Sequence, residues 1–193
     1  MSNRDAEATR ARILRAAIAE FAAVGFAGAR IDRIAARAMS NVRMIYAYFG
    51  NKAGLFDAAV RAAVESMATS VPPTAGALAE WAGRLFDYHQ ADPTALRISL
   101  WAQLERPEVG AEPMETYLAK TLTVSPEAGG DRRAIDLLVI VYAIAQAWTV
   151  SPHGLLRADG EDPEDPARIA QHREAVVAAV AAIVGPRDAG SGA

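Results

Sequence analysis

Apolar residues recur along most of the chain at the three- and four-residue intervals of an amphipathic α-helix. A first helix is predicted at about residues 8–24, with Gly25 suited to end it. Its apolar stripe consists of Leu14, Ala17, Ile18, Phe21 and Val24. The same spacing, divided by prolines and glycines, predicts helices at 31–38, 42–49, 52–69, 74–90, 94–105, 112–122, 131–150 and 167–184. Since the alternation typical of strands is lacking, the pattern predicts an all-α protein, with an acidic loop at 151–166.

Residues 30–55 contain two short helical patterns separated by a few residues, which is the arrangement of a helix-turn-helix. Asn41 is a favourable N-cap for the second of them, at 42–49. A helix of about two turns is too short to be stable alone, so packing against neighbouring helices must hold it.

A helical wheel of residues 42–49 separates a buried side from an outward side. Val42, Ile45 and Phe49 share the predicted buried side. Arg43 and Ala47 face away from it, where an arginine can hydrogen-bond a guanine edge in the major groove. This face fits a DNA groove, although a short surface helix in an ordinary helical bundle would carry the same residues.

The charge of the chain is unevenly distributed. Residues 1–55 hold nine basic and four acidic residues, a net charge of +5, whereas the remainder holds 11 basic and 19 acidic residues, a net charge of −8. A small DNA-binding module on an acidic body would show this asymmetry. A solvated basic face on an ordinary helix explains the charge alone equally well.

Several kinds of chemistry are disfavoured by composition. The 193 residues include no cysteine, which excludes disulfides, thiolate catalysis and cysteine-bound zinc. The three histidines, His89, His153 and His172, match no metal-binding spacing, and no phosphate-binding glycine loop is visible. We therefore expect neither an enzyme nor a bound cofactor or metal. A helical protein–protein interaction adaptor without specific DNA binding is the alternative function.

The sequence predicts a protein that is not embedded in a membrane. The N-terminal residues are polar, and the longest apolar run, 137–150, has 14 residues and includes Gln146. That run is too short to cross a bilayer and is expected to form a buried helix. The predicted location is therefore the cytoplasm.

Residues 9–56 resemble the N-terminal domain of the TetR family of repressors. The motifs that carry the resemblance are Ile13-Leu14-x-Ala16-Ala17, Phe21-x-x-x-Gly25-Phe26, Ile34-Ala35, Ile45-Tyr46-x-Tyr48-Phe49 and Lys52-x-x-Leu55. The chain departs from the family pattern at three places. Arg30 stands where Thr or Ser usually caps the second helix, Met39-Ser40-Asn41 where Gly-Val-Ser is usual in the turn, and Arg43 where Gly is common early in the third helix. These departures predict a strained or re-routed turn at Met39 and an operator different from those of well-known members.

The resemblance implies a repressor that binds a palindromic operator in double-stranded DNA as a homodimer and is released by a small-molecule effector. Its DNA-binding helix-turn-helix domain would occupy residues 1–55. A helical effector-binding and dimerisation domain would follow at 56–185, with a flexible tail at 186–193.

The resemblance also assigns roles to residues in and beside the helix at 42–49. The predicted DNA-binding residues are Asn41, Val42, Arg43, Met44, Tyr46, Tyr48 and Lys52. Residues 42–44 would lie nearest the bases of the major groove. The two tyrosines and the lysine would hold the phosphate backbone.

The resemblance further implies that the helices at about 131–150 and 167–184 pair with those of a second copy. The first of them is apolar on nearly all sides and therefore needs cover on two faces. A monomeric core completed by both helices would account for the same pattern.

The middle helices would enclose a pocket for a small apolar or aromatic effector. The candidate ligand-binding residues are Trp81, Phe86, His89, Trp101, Gln103, Met114, Tyr117, Tyr142 and Gln146. Taken singly, each aromatic residue among them is more often part of an ordinary core.

Overall fold

The structure is a computed structural model that describes residues 3–107, 113–124 and 132–184. Its helices are α1 (Asn3–Gly28), α2 (Ile31–Arg37), α3 (Val42–Phe49), α4 (Lys52–Ser70), α5 (Leu78–Ala91), α6 (Thr94–Glu105), α7 (Met114–Val124), α8 (Arg132–Val150), α9 (His153–Leu156) and α10 (Pro166–Val184). No strand occurs in these described ranges, so the expectation of an all-α fold is confirmed. The tail predicted to be flexible, 186–193, lies outside the described residues.

The helix boundaries differ from the predicted ones where the sequence has no apolar stripe. α1 begins at Asn3, because Arg4, Ala6 and Glu7 favour helix although the segment carries no periodic apolar signal. α5 begins at Leu78 rather than at 74, because the Ala77 N–H donates to the Thr74 carbonyl (3.1 Å) in a preceding turn. The prediction that 151–166 is entirely loop was wrong. The four-residue helix α9 lies there, and it is too short to produce a periodic pattern.

Gly25 interrupts α1, as the sequence predicted. Its φ of 73° is a left-handed value that few other residues adopt, and the chain continues as a short second helical piece. A Cβ on Gly25 would lie 2.9 Å from two ring carbons of Trp101. The Glu105 carboxylate of α6 accepts the N–H groups of Phe26 and Ala27. Both the backbone angle and the close packing of α6 therefore require glycine at this position.

The helices pack as two compact units. The first unit contains the described residues of Met1–Ser70 and Asp92–Thr116, and the second contains those of Val71–Ala91 and Tyr117–Ala193. Packing therefore groups residues 56–70 of α4 and all of α6 with the first three helices. The division into a DNA-binding domain and an effector domain at residue 55 concerns function and stays a prediction.

Each unit has its own aromatic core. In the first unit the rings of Phe21 and Phe56 meet edge to face, with centroids 4.9 Å apart, and both side chains are fully buried. In the second unit Trp81 is fully buried, and its indole N–H donates to the Val71 carbonyl (2.9 Å). The second core also contains Leu85, Phe86, Leu138, Val141, Trp148, Val176 and Val180.

Helix α8 is buried on one side and exposed on the other. Ala134, Leu138, Val141, Ala145 and Trp148 are buried, whereas Ile135, Val139, Ile140 and Val150 are exposed. The expectation of a buried helix was therefore right for one face alone. The argument that the run 137–150 is too short to cross a bilayer does not extend to the whole helix. The stretch Arg133–Val150 has 18 residues and is long and apolar enough to cross a membrane by length and composition, a test that core helices pass as well.

Candidate DNA-binding surface

Helix α3 is short and is fixed in place from several directions. Ile45 is fully buried, and Phe49 is half-buried beneath the guanidinium of Arg10, which lies 5.1 Å from its ring centroid. The Asn41 side chain accepts the Met44 N–H (2.9 Å), which confirms Asn41 as the N-cap. At the other end Gly50, with φ of 77°, stops the helix. These contacts stabilise a helix that would be unstable in isolation.

The outward side of α3 is open to solvent. Arg43 and Ala47 are exposed, as the helical wheel predicted, and the flanking Tyr46 is 43% exposed. Val42 was expected on the buried side, but it is 37% exposed because it lies in the first turn, directly after the exposed Asn41. The open face therefore includes Val42 in addition to Arg43, Tyr46 and Ala47. Met44 and Tyr48 are half-buried at its margins.

The turn between α2 and α3 keeps a regular helix-ending geometry in spite of Met39. The Ser40 N–H donates to the Ala35 carbonyl (2.9 Å) and the Met39 N–H to the Ala36 carbonyl (3.1 Å). This pair of hydrogen bonds is the Schellman motif, in which the residue after the cap adopts a left-handed conformation. Met39 has φ of 48°, the one positive value among the described non-glycine residues. The expected strain is present, but the turn is not re-routed.

The start of α2 is capped by a residue from α1. Arg30 makes no side-chain cap hydrogen bond, and its backbone N–H donates to Glu20 Oε1 (3.2 Å). The Arg33 guanidinium holds the same oxygen, with Nη2 at 2.6 Å and Nε at 2.7 Å. In a common capping box an acidic residue three positions into the helix reaches back to the cap N–H. Here Arg33 occupies that position and holds the buried Glu20 carboxylate against the N–H.

Sequence reasoning missed Glu20 because its capping partner lies ten residues away on another helix. Two features of the sequence could have indicated this role. Glu20 lies beside the apolar stripe of α1, and the helix that follows has no capping side chain at Arg30 but an arginine at its third position. Glu20 is 6% exposed, so its charge needs the partners it has.

The junction between α3 and α4 places Lys52 beside the end of α1. Asn51 caps α4 by accepting the Gly54 N–H (2.9 Å). A Cβ on Gly54 would lie 2.3 Å from the Phe49 carbonyl oxygen, so the junction requires glycine there. The Lys52 ammonium lies 3.4 Å from the Ala27 carbonyl oxygen, and it is close to the Phe26 ring. A half-buried lysine at a helix N-terminus has a position suited to a phosphate contact.

The candidate ligand-binding residues are divided between the two units. Trp81, Phe86, His89, Tyr117, Tyr142 and Gln146 belong to the second unit, and Trp101, Gln103 and Met114 belong to the first. Trp101 is half-buried against the Gly25 backbone, whereas Gln103 and Met114 are exposed. Their assignment to an effector site stays a prediction.

His89, in the second unit, has a buried and uncharged imidazole. It is 1% exposed, and neither ring nitrogen has a hydrogen-bond partner among the described residues. Burial lowers the pKa of His89 to about 4, so its imidazole is uncharged at neutral pH.

Lys120 on α7 is the residue of this region that the sequence did not single out. Its ammonium donates to the Tyr142 hydroxyl and lies 5.9 Å from the centroid of the Tyr117 ring. The Tyr142 ring in turn meets Trp81 edge to face, with centroids 5.7 Å apart. Two predicted residues, Tyr117 and Tyr142, thus face a lysine, and a third, Trp81, packs on Tyr142. The sequence signal of Lys120 was weak, since a lysine three positions after a tyrosine is ordinary in a surface helix.

Two family models match the chain over most of its length. The model described as "Bacterial regulatory proteins, tetR family" matches residues 13–59. The model described as "Tetracyclin repressor-like, C-terminal domain" matches residues 77–181. The first match includes the whole candidate DNA-binding surface from α2 to the start of α4.

Curated relatives agree with these matches. The chain is 44% identical over 159 residues to the HTH-type transcriptional repressor SCO4008 of Streptomyces coelicolor, covering 78% of this chain and 82% of that protein. It is also 53% identical over 51 residues to the HTH-type transcriptional repressor NicS of Pseudomonas putida, a match that covers 26% of this chain and 24% of that protein.

Solved structures of similar fold include two regulators. The transcriptional regulator SCO4942 of Streptomyces coelicolor superposes with a TM-score of 0.73 at 29% identity, covering 91% of this chain and 97% of that one. A TetR-family regulator from Mesorhizobium loti has a TM-score of 0.59 at 21% identity, covering 94% and 98% of the two chains. The second likeness concerns the fold alone.

Proposed function

The chain belongs to the TetR family of bacterial regulatory proteins and is a DNA-binding transcriptional regulator, and we propose that it represses transcription as a homodimer on a palindromic operator. Its similarity to an HTH-type transcriptional repressor over 78% of the chain supports repression. No observation favours the adaptor that the sequence left open as an alternative.

The exposed face of α3 is the observation that carries the proposed mode of DNA reading. Ile45 and the Asn41 cap fix the helix, so that Arg43 and Tyr46 project from a rigid support. In a major groove the Arg43 guanidinium would bond a guanine edge, and Val42 would contact a thymine methyl group. Tyr46, Tyr48 and Lys52 would bind phosphate oxygens at the margins.

Dimerisation through α8 and α10 is supported by the apolar side chains that these helices expose. They are Ile135, Val139, Ile140 and Val150 on α8, and Ile183 and Val184 on α10. Exposed apolar surface of this kind marks an interaction site. A second copy related by a two-fold axis would cover it, and the same axis would match a palindromic operator. In the cytoplasm, where we place this regulator, such a dimer also accounts for the apolar helix without a membrane.

We further propose that a small molecule bound in the second unit releases the DNA. Tyr117 and Tyr142, which face Lys120, and Trp81, which packs on Tyr142, support this location. No catalytic activity is proposed. The described residues contain no group of three His, Asp or Glu side chains that could hold a metal ion.

Selection of bound duplexes from a random DNA pool tests the proposal. We expect an enriched site with two-fold symmetry, and a protein that sediments as a dimer at micromolar concentration without detergent. Enrichment of an asymmetric site together with a monomer in sedimentation would contradict the dimeric mode of reading. Absence of any enrichment would contradict specific DNA binding.

A further inference from the structure

Lys120 is a buried cation that makes no ion pair with any residue the structure describes. It is 3% exposed, and Lys52 is the one other lysine of the chain. Within residues 3–107, 113–124 and 132–184, the ion pairs join arginines to carboxylates, and none includes Lys120. Its one hydrogen bond in these ranges goes to the uncharged hydroxyl of Tyr142. Two of the three ammonium N–H groups therefore have no acceptor there.

The rings of two described tyrosines face this ammonium. The Tyr142 ring centroid lies 5.2 Å from Nζ, and the Tyr117 ring centroid lies 5.9 Å away. Trp81 extends the aromatic wall behind Tyr142, and its indole N–H is already bonded to Val71. α5, α7 and α8 thus each contribute one ring to a cluster with a single positive charge.

Burying an ammonium group in this way costs hydration free energy, which a residue with a purely structural role would not need to lose. The aromatic faces and one neutral hydrogen bond recover part of the hydration that a buried ammonium loses. Burial still lowers the pKa of Lys120 to about 8, which shows that the recovery is incomplete. A methionine would fill similar volume without this cost. A charge that no described carboxylate neutralises is well placed to meet an opposite charge from a ligand.

We propose that Lys120, Tyr117, Tyr142 and Trp81 form a recognition site for an aromatic anion, whose acidic group binds the ammonium while its ring packs among the three side chains. The inference rests on the proposed effector-controlled function and names the chemical class of the effector. An aromatic cation would be repelled by the ammonium, and a neutral aromatic molecule would leave it without an opposite charge.

Probes that share one aromatic ring system and carry substituents of different charge test the site. 1-Naphthoate, 1-naphthamide and 1-naphthylmethylammonium share one ring system and carry a negative, a neutral and a positive substituent. Calorimetric titration of the full chain should show 1-naphthoate binding at least about tenfold more tightly than the amide. Equal affinity for all three probes, or preference for the cation, would overturn the proposal.

Two substitutions locate the effect at Lys120. Lys120→Met should reduce 1-naphthoate binding to the level of the amide, whereas Lys120→Arg, which keeps the charge, should retain most of the preference. Circular dichroism checks that both variants fold. If Lys120→Met folds and still binds 1-naphthoate like the parent chain, Lys120 is not the recognition residue.

A direct readout comes from the small number of lysines. With isotope-labelled lysine, the ζ signals of Lys52 and Lys120 can be assigned by the substitutions. Addition of 1-naphthoate should shift the Lys120 signal and leave that of Lys52 unchanged. Equal shifts of both signals would indicate non-specific binding and would contradict the site.

Operator release separates this inference from the proposed function. Binding of 1-naphthoate at Lys120 without loss of operator affinity would contradict effector control while leaving the anion site in place. Release of operator by 1-naphthoate from both the parent chain and Lys120→Met would support effector control and overturn the site.

Discussion

Each of the two packed units buries a charged side chain, and the two are accommodated in opposite ways. Glu20 in the first unit meets the guanidinium of Arg33 and the N–H of Arg30, so its charge is matched within the fold. Lys120 in the second unit meets tyrosines and no carboxylate of the described chain. The difference indicates that the first charge serves architecture, because it completes the helix that supports α3, whereas the second is available to a ligand.

The largest expected effect is on the pH dependence of stability when Lys120, which no described carboxylate neutralises, is replaced by methionine. Because burial lowers the folded-state pKa of Lys120 to about 8, the unfolded chain binds more protons between pH 8 and its ordinary value of 10.5. The parent chain should therefore become more stable relative to Lys120→Met as pH rises through that window, by at most about 3 kcal/mol. Below pH 8 the difference in free energy of unfolding between the two chains should be constant, with Lys120→Met the more stable. Urea unfolding of both chains at pH 7 and pH 10.5 measures this, and a pH-independent difference would contradict the lowered pKa.

Replacing Glu20, whose charge is paired, should lower the free energy of unfolding, whereas Lys120→Met should raise it below pH 8. Glu20→Ala leaves the Arg30 N–H without its acceptor and Arg33 without its ion pair, and it should destabilise the chain by about 2 kcal/mol. The cost is limited because the Arg33 side chain is half exposed. Unfolding by denaturant gives the value, with Glu65→Ala on the exposed face of α4 as the matched control. An equal cost for both variants would show that the cap contributes nothing specific.

A substitution in the first unit, Arg43→Ala, should reduce the affinity for DNA. Arg43→Ala removes the exposed guanidinium from the outward face of α3 and should weaken operator binding by about 1–3 kcal/mol while relaxing the preference at one base position. Fluorescence anisotropy on the selected duplex and on single-base variants measures both changes. An unaltered base preference would exclude Arg43 from base reading. Arg61→Ala, an exposed arginine of α4, is the matched control.

The turn at Met39 offers a smaller, stabilising change. Met39→Gly should relieve the left-handed strain at φ of 48°, offset in part by the greater freedom of glycine in the unfolded chain. We expect a net gain of about 0.5–1 kcal/mol in the free energy of unfolding. Because Met39 is 82% exposed, little packing is lost. Thermal unfolding at matched concentration measures the gain, and a destabilised variant would mean that the methionine side chain makes a contact that stabilises the turn.

The smallest effect concerns the salt dependence of DNA binding. Lys52→Ala should weaken binding to all sequences alike and reduce the slope of log affinity against log salt by about one unit, because one phosphate contact is lost. Titrations at several salt concentrations measure the slope. A normal slope with weaker binding would mean that Lys52 acts through its contacts with Ala27 and Phe26, by positioning α4.

Much of this molecule follows from local pattern. The bounds of α3, the Asn41 cap, the break at Gly25 and the outward direction of Arg43 could be read from spacing because each depends on residues within one or two helical turns. The family resemblance was visible in the same stretch, whose motifs fall at fixed intervals. Periodic pattern could not reveal α9, since four residues are too few to repeat.

The tertiary structure decided what depends on residues far apart in sequence. Glu20 caps α2 from α1, and Trp101 packs on Gly25 across 76 positions of the chain. Lys120 became a buried cation only when the folded chain placed the rings of Tyr117 and Tyr142 against it, with Trp81 of α5 packed on Tyr142. A helical pattern predicts which residues share a face of a helix. The free energy cost of burying a charged side chain depends on every group that surrounds it in the folded protein. The sequence by itself therefore determined the helices and the outward face of α3 that we propose reads DNA. The packing of those helices decided which buried charge is paired within the described residues and which we propose is open to a ligand.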